Sequence, residues 1–214
     1  MNLKKATLLA AMSISYTFLL RYMGTFLPGI FRSLPVALAV AFLSLLAGLA
    51  IVLFFVLFFK GYVRKGQLRL KKASILAIIG SCALLCLNVK SLVLIFRMYL
   101  SPYLVMYFLR SQFIDPLIPW VSSIFILIFF IVFHQETRHE EEIRLRKPTL
   151  FAVIGSSLAS LERTFVVVNY LLYSKPMGWF THLSAKTAII LSPIYLFSFL
   201  AVLYFFVSFY RQQT

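Results

Sequence analysis

The feature that most constrains this chain is a series of apolar runs, several of them about 18 or more residues long, separated by short polar or basic stretches. A run of that length crosses the hydrocarbon layer of a bilayer as a helix. In lipid every backbone N–H and C=O must be bonded internally, which leaves helices or a closed barrel. The runs are continuous rather than alternating, so they predict helices. Composition agrees: 62% of residues are hydrophobic and 13% charged, with a mean hydropathy of +0.94. Soluble domains sit near 45–50% apolar and about 25% charged, and could not cover this much apolar surface.

The expected fold is an all-α integral membrane protein, a single membrane domain over 1–214 with six transmembrane helices. Spans are expected at about 6–30, 34–59, 73–96, 117–133, 149–173 and 185–210. The stretch between the third and fourth holds Pro102 among Tyr99, Tyr103, Tyr107 and Phe108. It is too broken for a crossing and is expected as an interfacial helix or re-entrant turn at about 99–113, with its aromatics at headgroup level. A seventh crossing there is the competing topology and would reverse everything after it. The first run follows Lys4 and Lys5, as a signal peptide would. It is long, carries Arg21 and lacks a clear small-x-small cleavage site, so it is read as a retained span.

Twenty-one Lys and Arg face six Asp and Glu, a net charge of +15. Most basic residues flank apolar runs. With the N-terminus inside, one side collects Lys4, Lys5, the basic residues of 60–72, those of 138–147 and Arg211, while the other keeps Arg32, Arg97, Arg110, Lys175 and Lys186. The bias predicts a multi-pass cell-membrane protein with both termini cytoplasmic and anionic lipids as partners. No basic soluble domain is available for nucleic acid.

The chain also matches itself. Lys4-Lys-Ala-Thr-Leu-Leu-Ala-Ala-Met-Ser13, Lys71-Lys-Ala-Ser-Ile-Leu-Ala-Ile-Ile-Gly80 and Arg146-Lys-Pro-Thr-Leu-Phe-Ala-Val-Ile-Gly155 open spans one, three and five. Leu53-Phe-Phe-Val-Leu-Phe-Phe-Lys60, Ile128-Phe-Phe-Ile-Val-Phe-His-Gln135 and Tyr204-Phe-Phe-Val-Ser-Phe-Tyr-Arg211 close spans two, four and six. Two anchors in register predict three sequential helical hairpins of one orientation, in units of about 4–70, 71–145 and 146–214. Thr7, Ser74 and Thr149 are expected to cap their helices. Mitochondrial carriers also build six spans from three hairpins, but their Pro-x-[Asp/Glu]-x-x-[Lys/Arg] signature does not occur here.

Charges inside apolar spans are the strongest functional pointer. Arg21, Asn88 and Arg163 fall at one level of the aligned units, with Lys90 about half a turn away and Glu162 next to Arg163. These five are the candidate ligand-binding residues. A basic ring in the outer half of a bundle would attract a carboxylate, a phosphate or an anionic headgroup. Snorkelling of the long basic side chains is the plainer reading of Arg21 and Lys90. Glu162 cannot reach as far, so an ion pair with Arg21 or Lys90 is expected. The segment His134–Lys147 holds two His and four Glu, but not at metal-ligand spacing. Its Arg138–Glu142, Glu140–Arg144 and Glu142–Arg146 pairs fit a solvated helix, and the segment at 135–147 suits a protein partner. Cys82 and Cys86, four apart on one helix, are read as packing residues. Gly80 and Gly155 permit close helix approach, and Pro119 and Pro193 are candidate kinks.

No nucleophile–base pair, phosphate loop, metal set or haem ligand pair is visible, so neither an enzyme nor a cofactor is expected. Two functions remain. One is a small transporter or membrane ligand-binding protein for an anionic or amphipathic small molecule or lipid. The other is a non-catalytic membrane subunit that assembles, anchors or regulates a larger complex, the oligomeric state being open.

Overall fold

The computed structural model describes residues 1–26, 33–63, 67–100, 115–139, 143–172 and 180–213, without the side chains of 21, 24–26, 98–100, 139, 143, 169, 170, 172 and 180–191. Six helices make up the described fold: α1 (Leu3–Phe26), α2 (Leu34–Gly61), α3 (Leu68–Leu100), α4 (Leu117–His139), α5 (Ile143–Leu172) and α6 (Phe180–Gln212). Those from α2 to α6 are long and apolar enough to cross a membrane. Helix α1 begins on Lys4 and Lys5 and carries Ser13, Ser15, Tyr16 and Thr17, which lower its apolarity. Apolar side chains such as Met12, Phe42, Ile79 and Leu161 project outward from the bundle. That surface suits lipid and not water.

Each helix packs on its neighbours in sequence, and α1 packs on α6, so the six close into a ring. The closure has visible ties. Phe18 of α1 stacks on Phe199 of α6 at 4.1 Å between centroids and lies against Tyr195 at 5.7 Å. At the other end Lys4 Nζ sits over the Tyr210 ring, 5.3 Å from its centroid. One core cluster joins early residues of α1, α3 and α5 (Ala6, Ala10, Leu70, Ala77, Leu145, Ala152) with late phenylalanines of α2, α4 and α6. Successive helices are therefore antiparallel, and both termini lie at one end. Helix α3 ends and α4 begins at the opposite end, whereas a seventh crossing would have separated them. The expected interfacial segment lies outside the described residues, apart from its first positions on α3.

That core is aromatic. Phe54, Phe55 and Phe58 of α2, Phe129, Phe130 and Phe133 of α4, and Phe205, Phe206 and Phe209 of α6 are at most 2% exposed. Their contacts repeat around the ring. Phe129 lies 5.0 and 5.1 Å from Phe55 and Phe58. Phe205 lies 5.0 and 5.8 Å from Phe130 and Phe133. Phe54 lies 4.8 and 6.1 Å from Phe206 and Phe209. Phe58, Phe133 and Phe209 meet one another at 5.2, 6.1 and 5.8 Å. Most of these pairs are edge-to-face, the geometry that sets the positive ring edge on the negative face. The bundle interior at the end bearing the termini is thus closed by phenylalanine.

Several local expectations are corrected. Thr7, Ser74 and Thr149 do not cap their helices. Each donates its hydroxyl to the carbonyl four residues earlier, Leu3, Leu70 and Leu145, at 2.8–2.9 Å. The helices start upstream of them, so the hydroxyls lie in the second turn and satisfy themselves in an apolar setting. Likewise α3 starts at Leu68 and takes Lys71 and Lys72 out of the expected loop, while α4 continues to His139. The expected charge pairs of 138–146 involve Glu140 and Glu142, which lie outside the described residues. Pro119 falls in the first turn of α4, where a missing N–H has no helical partner, so it makes no kink there. Pro193 lies well inside α6. Cys82 and Cys86 are free thiols.

The close approaches expected at the glycines are present. A Cβ on Gly80 would meet the Ser122 backbone at 3.2 Å, and one on Gly155 would meet the Ser198 carbonyl at 2.7 Å. These are the crossing points of α3 with α4 and of α5 with α6.

Candidate functional site

The starting point for the site is the face each helix turns to the core. Ala10, Ala77 and Ala152 are fully buried in the aromatic cluster. Arg21, Asn88 and Arg163 each lie eleven residues further along the same helix. Eleven residues is close to three turns, so all three positions return to the core-facing side, about 16 Å beyond the phenylalanines' alanine partners. The side chain of Arg21 lies outside the described part. Lys90 is about 200° round α3 from Asn88, and Glu162 about 100° round α5 from Arg163.

Asn88 reaches across to α2, its Nδ2 donating to the Ser44 carbonyl at 2.9 Å. Gly48 makes room for this: a Cβ there would come within 2.9 Å of that nitrogen. A cavity of about 300 Å³ opens beside the bond, lined by Ala37, Val40, Ala41, Ser44, Asn88, Ser91 and Ile95. Its α2 residues lie on the face of Phe55, and its α3 residues on the face of Ala77. The cavity is thus a cleft between α2 and α3 on the side of the helices that carries Phe55 and Ala77, beyond the aromatic plug, with Ser91 exposed at its edge. Tyr16 braces it from α1 by donating its hydroxyl to the Val40 carbonyl at 3.1 Å.

Lys90 belongs to a different contact. Its Nζ lies 2.6 and 2.9 Å from the two carboxylate oxygens of Asp115, just before α4. Of the two partners expected for Glu162, Lys90 points off the Asn88 face and meets Asp115 instead, and the side chain of Arg21 lies outside the described residues. The pair is about a third exposed, which limits its energetic worth. Glu162 is a buried acid, the one among the described residues, its side chain 2% exposed, with the Arg163 guanidinium at 3.7 Å. That is a loose ion pair between sequence neighbours. Trp120 Nε1 donates to Thr164 Oγ1 at 2.8 Å and ties α4 to α5 beside it. At the other end of the same interface His134 Nδ1 and Thr149 Oγ1 are 2.8 Å apart. Thr149 Oγ1 is also within reach of the Leu145 carbonyl at 2.8 Å, and the imidazole tautomer decides which group donates across the interface.

The five expected residues are therefore distributed. Asn88 lines a cavity, Glu162 and Arg163 form one pair, Lys90 pairs with Asp115, and Arg21 shares the level and face of Asn88 and Arg163. Asp115 was not anticipated, although the chain offers only six acids and four of them lie at 136–142. A lone acid preceding a span, opposite a lysine inside the span before it, was a readable sign. No family model, curated protein or solved structure matches the chain.

Proposed function

We propose that this protein is a small six-span membrane transporter or ligand-binding protein, and that it takes an anionic small molecule at the level of Arg21, Asn88 and Arg163. One observation carries the reading. The interior faces change character along the bundle axis: packed phenylalanine at the end with the termini, then small and hydroxyl residues, then a cavity with Asn88 and basic positions. A purely structural bundle has no need of that gradient, whereas a ligand site sealed at one end does. Glu162 offsets part of the positive charge at this level, and Lys90–Asp115 flanks it.

The rest of the reading follows the chain. Helix α1 is a sixth crossing, since it completes the ring on the same register as α3 and α5. The basic end faces the cytoplasm of a cell, in contact with anionic lipid. The hairpins are three repeats about an axis along the membrane normal, supported by the phenylalanine contacts that recur from α2 to α4 to α6. No catalytic step is assigned.

The test is uptake into proteoliposomes of a panel of labelled small anions by the wild type, Arg163→Gln, Glu162→Gln and Asn88→Ala. Saturable uptake that falls at least tenfold in Arg163→Gln, with the protein still folded by thermal unfolding, supports the reading. Uptake indistinguishable from empty vesicles across the panel, with no ligand-induced thermal shift, overturns it in favour of a non-catalytic membrane subunit.

A further inference from the structure

Hydroxyls inside this bundle normally satisfy themselves. Thr7, Ser13, Ser74, Thr149 and Ser156, all buried, each bond to a carbonyl of their own helix. This is the usual solution in an apolar environment. Ser81, Ser122 and Ser198 depart from it. They are 2%, 1% and 4% exposed, and their hydroxyl oxygens have no partner among the described residues. Ser160, further out on α5 and three residues before Arg163, is a fourth.

Their placement is not scattered. Ser122 and Ser198 each stand seven residues, about two turns, before Phe129 and Phe205, on the face that carries those rings into the core. Ser81 is one turn beyond Ala77. The Gly80–Ser122 approach puts Ser81 at the height of Ser122. The three hydroxyls thus form a layer between the aromatic plug and the level of Asn88 and Arg163, about 10 Å below it.

We propose that this layer is the floor of the ligand site, and that the ligand is a small water-soluble anion with a second polar end, such as a hydroxy acid or dicarboxylate, rather than the acyl chain of a lipid. The inference rests on the functional reading above and narrows its substrate class. An acyl chain seated on this floor would leave every hydroxyl without a partner. A carboxylate or hydroxyl there would accept or donate to them, while the anionic group at the other end met the basic level. The cavity at Asn88, about 300 Å³ and lined by α2 and α3, lies beyond this layer and does not itself reach the three serines; it is at the small end of ligand pockets and suits a short molecule.

The experiment measures binding of malate and of decanoate, two probes that share an anionic carboxylate, to the purified full-length protein in nanodiscs. The variants are Ser122→Ala/Ser198→Ala and, separately, Arg163→Gln. Alanine is compatible with this layer, because Ala47 holds the matching position on α2, seven residues before Phe54. The floor predicts that the wild type prefers malate. The double variant should weaken malate by about 25- to 100-fold, at roughly five- to tenfold per lost hydrogen bond, and leave decanoate unchanged or tighter. Arg163→Gln should weaken both. A wild type that prefers decanoate, or malate binding that the double variant leaves intact, overturns the floor while the anion site stands. Failure of both probes to bind removes the anion site and the floor with it.

Discussion

Replacing Phe133 with alanine tests the aromatic closure most directly. The ring is fully buried and lies against Phe58 at 5.2 Å, Tyr62 at 5.4 Å, Phe129 and Phe205 at 5.8 Å, and Phe209 at 6.1 Å. In a soluble core, Phe→Ala costs about 3–5 kcal/mol, part of it lost transfer from water and part the cavity left behind. A bilayer changes the balance. The unfolded reference already holds the side chain in an apolar solvent, so the transfer part shrinks and packing remains. Aromatic pairs contribute about 0.5–1.5 kcal/mol each beyond area and are not additive. We therefore expect Phe133→Ala to cost about 2–3 kcal/mol. Phe58→Ala and Phe209→Ala should match it within about 1 kcal/mol, since each meets the other two on the axis. Phe42→Ala, at a ring 54% exposed on the lipid side, should cost under about 0.5 kcal/mol. The assay is reversible unfolding in mixed micelles followed by tryptophan fluorescence. Equal losses for Phe42→Ala and Phe133→Ala would refute the argument. A loss confined to one of the three axial rings would refute their equivalence.

Other perturbations have readable directions. Gly155→Ala sets a Cβ 2.7 Å from the Ser198 carbonyl and 2.9 Å from Ala201, both on the facing helix, and should destabilise by about 1–3 kcal/mol in the same assay. Gly61→Ala, with nothing near, should be close to neutral or slightly favourable. Breaking Lys90–Asp115 with Asp115→Asn should cost less than about 1 kcal/mol and matter less at high salt, because the pair is partly exposed. A charge swap of both residues should recover most of it. Trp120→Phe keeps the ring but removes the bond to Thr164, and should cost about 0.5–1.5 kcal/mol by thermal unfolding.

Much of the architecture was legible because lipid leaves a chain few choices. Apolar run length located α2 to α6 to within a few residues at most ends, and the small residues at 80 and 155 anticipated where helices cross. The phenylalanine plug was foreshadowed only as a recurrent cluster. Periodicity could not say that its rings would meet one another on the bundle interior. Helix starts were misplaced where basic residues precede an apolar run. Leu68–Lys72 reads as a loop by charge, yet Leu70 is fully buried and holds that turn helical. The candidate site was legible in level but not in partnership. Counting along α3 sets Lys90 about half a turn from Asn88, but it could not say that their side chains end on Asp115 and Ser44.

On the proposed threefold repeat, the positions where the units differ are as informative as those where they agree. At positions that close the interior, the three units carry one chemistry: phenylalanine at 54, 129 and 205, and alanine at 10, 77 and 152. A seal against leakage must be complete on every side of the axis, so each unit must supply the same bulk. A ligand with two different ends is asymmetric and cannot be met alike from three directions. On the proposed function, the levels that touch it should therefore be those where the units diverge. Arg21, Asn88 and Arg163 diverge, Ala47, Ser122 and Ser198 diverge one layer below, and the acids near this height differ too, with Glu162 beside Arg163 in the third unit and Asp115 on Lys90 in the second. Making the units alike should then spare the fold and damage the binding. Asn88→Arg would complete the basic level, but it would also remove the bond to Ser44 and force a larger side chain toward Gly48. Ala47→Ser is the cleaner change: it should alter unfolding by less than about 0.5 kcal/mol and shift malate affinity measurably. A variant that unfolds but leaves ligand preference untouched would reverse the roles assigned to the two kinds of position.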